Sequence, residues 1–170
     1  MEKEQLNITV EKAMQLAWSY TQKFGGCSQV VLASIKETAG NISDEVFQSA
    51  TGLAGGVART GNACGALTGG VMALSCFWGR QYNDFADPDK RRVRTFSMSK
   101  RLADKFQETY DSPNCCKIQE KIMGRSYDLG NPKDFEQFLK DGGHDDKCTS
   151  VCANSARWVL EILNEEGLIQ

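Results

Sequence analysis

The chain has 170 residues, with 20 Lys and Arg against 22 Asp and Glu, a formal net charge of −2, 7 cysteines and a single histidine. Near-balanced charge gives no overall attraction to nucleic acid or anionic membranes, and the length suits one domain, residues 1–170, whose core needs no disulfide staples. Small size therefore does not account for the cysteines. The polar, acidic start, MEKEQLNITVEK, lacks the basic and apolar regions of a secretory signal. A cytoplasmic location is expected, and in a reducing compartment the cysteines point to metal binding or redox chemistry.

Helical periodicity runs through almost every segment, and β-branched residues never cluster over a strand's length between turn signals. The fold expected is all-α, a bundle around a central glycine-rich helix. Thr9 is the expected cap of a first helix that turns Val10, Ala13, Met14, Ala17 and Trp18 toward one face and ends at the FGG of residues 24–26. A second helix follows over residues 27–38, and Ser43 caps a third that runs to residue 50. Asn62 is the expected cap of the central helix, which Gly79 stops. Its apolar stretch, residues 63–78, is interrupted by glycine and threonine and is too short to cross a bilayer of about 30 Å, so it reads as a core helix and no membrane span is expected.

After a turn at Asp87 and Pro88, a long amphipathic helix extends to residue 110. Ser112 and Pro113 offer a cap and an N1 proline for a helix over residues 113–123, and another occupies residues 132–140. DGGHDD then forms a loop whose aspartates, Asp145 or Asp146, cap a last helix reaching residue 165.

Four cysteines fall at these expected helix starts: Cys27, Cys64, Cys115 and Cys148. A first helical turn has main-chain N–H groups without intrahelical partners and the positive end of the macrodipole, so thiolates with a lowered pKa are expected there. Packing is the alternative for any one of them, since free cysteine is often simply buried. Cys76, in the apolar end of the central helix, reads as core. Cys116 adjoins Cys115, where a vicinal disulfide would be strained. Cys152 follows Cys148 by four residues, on the same helical face, as packing or as a further ligand. His144 stands near Cys148 and reads as a solvated loop residue or, less readily, as a ligand. No C-x-x-C pair is present, so any metal site must be assembled by the tertiary fold.

CGALTG at residues 64–69, preceded by GGCSQ and followed by SPNCCKI and DKCTSVC, resembles the C-GCAxxG-C-C family of redox-active proteins over most of the chain. The resemblance selects Cys27, Cys64, Cys115 and Cys148 as the family's four cysteines. A similar module accompanies the iron-sulfur centre of split-Soret cytochromes, which implies an iron-sulfur cluster here. No C-x-x-C-H supports covalent haem attachment.

The leading expectation is a redox protein whose four cysteines hold an iron-sulfur cluster and pass electrons. The alternatives are a metal-free thiol-disulfide redox protein and a structural zinc module for protein interaction. GLAGGVARTG at residues 52–61 is a weak phosphate-loop candidate, lacking both G-x-G-x-x-G after a strand and the P-loop lysine. DKRRVR at residues 89–94, with Lys100 and Arg101 further on, reads as a solvated basic face or a docking patch for an acidic redox partner. Exposed apolar residues on amphipathic helices permit a homodimer. No hydrolase elbow, metalloprotease helix or paired acid and base is present, so no catalytic residue is assigned.

Overall fold

A computed structural model describes residues 1–169, among which there are α-helices and short helical turns but no β-strand. The helices are α1 (Lys3–Phe24), α2 (Cys27–Thr38), α3 (Asp44–Ser49), α4 (Gly65–Trp78), α5 (Arg91–Tyr110), α6 (Cys115–Met123), α7 (Pro132–Lys140) and α8 (Cys148–Glu165). The all-α expectation holds. Where a side-chain cap is present, at Ser43 for α3 and Asn131 for α7, the helix starts where the sequence places it.

Four starts differ from expectation. α1 begins at Lys3 without a side-chain cap, and Thr9 lies inside it with its hydroxyl donating to the Gln5 carbonyl 2.9 Å away. A threonine one turn into a helix satisfies its own hydroxyl in this way and need not mark an end. The N-cap of α4 is Cys64, not Asn62, and that of α6 is Asn114, which makes Cys115 its first residue. The loop before α8 closes as a single wide helical turn, Gly143–Lys147, with no aspartate cap.

α4 sits at the centre because its glycines remove side chains where other helices cross. A Cβ on Gly69 would lie 2.9 Å from Ser28 Cα of α2, and one on Gly70 would lie 2.6 Å from Leu102 Cδ2 of α5 and 3.2 Å from Val159 Cγ2 of α8. Glycine costs a helix interior about 1 kcal/mol relative to alanine, and close packing on two sides offsets that cost. Around α4 the buried side chains form one cluster that includes Leu32, Ile35, Leu74, Leu102, Phe106, Trp158 and Leu163. Ser155 Oγ donates to the Ala66 carbonyl at 2.7 Å, which ties α8 to the first turn of α4.

The basic stretch is partly absorbed by structure. The Arg91 and Arg94 guanidinium carbons lie 4.3 and 4.6 Å from the Trp78 ring centroid, and Arg94 Nε pairs with Glu166 at 2.9 Å. No helix among the described residues is long and apolar enough to cross a membrane.

Candidate functional site

Between the starts of α2, α4, α6 and α8 lies a cavity of about 450 Å³ whose walls include Cys27, Cys64, Cys115, Cys148 and Cys152. The four cysteines at helix starts, separated by up to 121 positions in the chain (148 minus 27), meet here, and Cys152 joins them one turn into α8. Cys64, Cys115 and Cys152 are buried; Cys27 and Cys148 are half-buried. Cys76 and Cys116 are not among the lining residues.

Local hydrogen bonding explains how Cys64 and Cys115 come together. An isolated antiparallel bridge joins Ala63 to Asn114; Cys64 N–H donates to the Pro113 carbonyl at 2.9 Å, and Cys115 N–H to the Asn62 carbonyl at 2.7 Å. One splint thus aligns the starts of α4 and α6. On the other side, a Cβ on Gly65 would collide with Cys27 Sγ. The glycine after Cys64 is what lets the Cys27 sulfur reach the head of α4.

The segment before Cys64 is strained. Five consecutive residues have positive φ: Gly55 at 67°, Gly56 at 74°, Val57 at 62°, Ala58 at 52° and Arg59 at 65°. Left-handed backbone costs about 1–2 kcal/mol for each non-glycine residue, so Val57, Ala58 and Arg59 must be held by surrounding structure. Gly61 N–H and Asn62 N–H close the turn on the Gly55 and Gly56 carbonyls at 3.1 and 3.0 Å. The turn brings the Gly55 N–H toward the Cys27 sulfur, where those of Ser28 and Gly65 also point.

These donors favour a Cys27 thiolate, but burial outweighs them and raises its pKa. Burial likewise holds the Cys64 and Cys148 thiols well above the ordinary range and pushes Cys115 up to about 12. Cys152 is raised by the same cause. The expectation of acidic thiols at helix starts is therefore corrected. A partial dipole charge acts on each sulfur, yet desolvation and the neighbouring sulfurs act against ionisation more strongly.

Gln119, which has no place in the sequence reading, and Arg59, noted there only within GLAGGVARTG, complete the surroundings. Gln119, 1% exposed and four residues after Cys115, donates from Nε2 to Cys115 Sγ at 3.6 Å and accepts the Tyr127 N–H on Oε1 at 2.9 Å. The i, i+4 spacing from Cys115 was the available signal. Arg59 lies on the exposed rim, its guanidinium carbon 5.2 Å from the Phe135 centroid. His144 is not simply solvated: half-buried in the wall, it meets Phe138 edge-on at 5.4 Å, and burial lowers its pKa.

The family model described as "Putative redox-active protein (C_GCAxxG_C_C)" matches residues 26–162. The chain belongs to this family. It is also 26% identical over 109 residues to an uncharacterized protein of Archaeoglobus fulgidus, a match covering 62% of this chain and 72% of that protein. No solved structure matches.

The cavity's donor set suits a thiophilic inorganic centre, because soft thiolates are the preferred ligands of iron-sulfur clusters and the surrounding N–H groups can donate to sulfur. A single zinc ion asks instead for donors converging tetrahedrally on one point. Among the described residues no group of three or more His, Cys, Asp or Glu side chains is arranged to hold one metal ion.

Proposed function

We propose that the chain is a cytoplasmic electron-transfer protein in which Cys27, Cys64, Cys115 and Cys148 hold an iron-sulfur cluster. The observation that carries this reading is the meeting of four sequence-distant cysteines around one cavity large enough for more than a single ion. When bound, such a cluster supplies reversible one-electron chemistry. The chain's own contribution is to keep water from Cys64 and Cys115, to offer N–H donors at Cys27, and to place the Gln119 amide against Cys115. Fewer waters and more N–H···S contacts set the reduction potential of such a centre.

Burial weakens the metal-free alternative. A thiol-disulfide protein needs a thiolate near neutral pH, and the cavity cysteines are shifted away from ionisation. A cationic centre reverses that penalty by replacing the protons it displaces. The partner this reading expects is an acidic redox protein, with Lys90 and Arg92 as exposed contacts and salt-sensitive association as the signature.

The test is metal and acid-labile sulfide analysis with a visible spectrum on protein purified without oxygen. Iron, sulfide and a charge-transfer band are expected, and Cys64→Ser should lose them while Cys76→Ser keeps them. Zinc alone, or unchanged iron in Cys64→Ser, would overturn the reading.

A further inference from the structure

Cys64, Cys115 and Cys152 are the buried cysteines of the cavity and Cys27 and Cys148 are half-buried, whereas Arg59, Phe24 and Ala58 on its lining are exposed and mark where it opens to solvent. No aspartate or glutamate lines the cavity, and Arg59 is its one charged residue. Among the described residues no carboxylate lies within ion-pair distance of Arg59. Burial disfavours the charged form of His144, which adds a polar edge to the wall. The aromatic wall is continuous: Phe135 lies 6.0 Å from Phe138, centroid to centroid, and His144 meets both rings edge-on.

From this arrangement we infer that the outer part of the cavity is a binding site for a small organic carboxylate, with Arg59 holding the carboxylate and Phe135 and Phe138 the apolar body. A guanidinium stacked over a ring keeps its in-plane N–H edge free for two parallel hydrogen bonds to a carboxylate. A single cation with apolar walls suits a monoanion with an apolar body better than a phosphate, which is usually met by several charges or a row of main-chain N–H groups. The left-handed backbone at Arg59 strengthens the assignment. Glycine would relieve that conformation, yet an arginine stands there, at the rim of the cavity, where strain is commonly retained for function.

The experiment uses the full chain as purified and three probes of similar size, benzoate, its neutral isostere benzamide and the cation benzylamine, followed by calorimetry and by chemical shifts of the His144 ring. Neither readout depends on iron, so this inference and the cluster assignment fail separately. Benzoate should bind in the millimolar range and shift His144, with benzamide and benzylamine at least tenfold weaker. Arg59→Gln should weaken benzoate about tenfold. Arg59→Gly, which relaxes the backbone, should melt no lower than wild type and still lose the preference for benzoate. Equal binding of the three probes, benzoate affinity unchanged in Arg59→Gln, or no response of His144 would overturn the site.

Discussion

Gly69→Ala tests whether the cavity depends on the close crossing of α2 and α4. The new Cβ would sit 2.9 Å from Ser28 Cα and press on the Ser28 carbonyl, whereas a comfortable carbon contact begins near 3.4 Å. α2 must retreat by about an ångström to clear the Ser28 carbonyl oxygen, the nearest obstacle, and it cannot do so by turning a side chain, because the obstacle is main chain. Overpacking of this kind costs about 1–3 kcal/mol, and the better helix propensity of alanine returns about 1 kcal/mol. Because main chain cannot yield by a change of rotamer, the cost falls at the upper end of that range and the net loss should be about 2 kcal/mol, which for a chain of this length lowers the melting temperature by roughly 2–4 °C per kcal/mol. Ser28 is the neighbour of Cys27, so the same retreat displaces a cavity sulfur and should reduce iron retained after anaerobic reconstitution. Thermal melts by circular dichroism and iron per chain are the assays. Gly52→Ala is the control, since its Cβ would meet nothing within 4 Å. If Gly69→Ala melts with wild type and retains full iron, close approach of α2 to α4 is not what the glycine provides.

Gln119→Leu should cost about 1–3 kcal/mol in urea unfolding, because it strands the buried Tyr127 N–H, and it should lower the reduction potential of iron-loaded protein by removing a donor from Cys115; an unchanged potential would dissociate Gln119 from the site. Tyr110 has its pKa raised from 10.0 to about 12, chiefly by burial. Its contribution to stability is therefore intact below pH 10 and lost as pH rises through about 12, and the phenolate absorbance missing in Tyr110→Phe should appear near 12 and not near 10. In metal-free protein, Cys64, Cys115 and Cys152 should resist iodoacetamide at pH 7, while Cys116, outside the cavity, reacts first; peptide mass spectrometry reads both, and rapid labelling of Cys64 would contradict its protonated, buried state.

Much of the fold is readable where a local signal and the tertiary requirement agree. Ser43 caps the helix it announces, the helix over residues 132–140 forms where the sequence places it, and the apolar spacing through Met98, Leu102 and Phe106 turns α5 inward. The start of α1 is not readable, because nothing caps it and Thr9 offers a false signal that the helix satisfies internally. The left-handed run at Val57, Ala58 and Arg59 is not readable either, since none of these residues prefers that backbone and only the assembled loop holds it there. At the site, helix position and family pattern pick out four of the five cysteines that line the cavity. Their ionisation is not readable from one helix start at a time, because it is a collective property. Each helix start acts on one sulfur, while desolvation and repulsion depend on five sulfurs meeting in one place.

That collective property bears on how electrons would leave. Lys90 and Arg92 stand at the start of α5, beside the C-terminal end of α4, and Cys64 caps its other end. α4 has 14 residues, which at about 1.5 Å per residue separates the basic end from Cys64 by about 20 Å. A partner docked only on that end would be held by charge but kept far from the sulfurs. The cavity rim is nearer: Phe24, 77% exposed, and the half-buried His144 and Cys148 lie at the outer wall, and Gly25 approaches so closely that an added Cβ would stand 2.8 Å from His144 Cε1. Under the proposed function, a redox partner that both recognises the basic end and receives an electron would have to reach the rim as well. A small organic anion held by Arg59 would already be there.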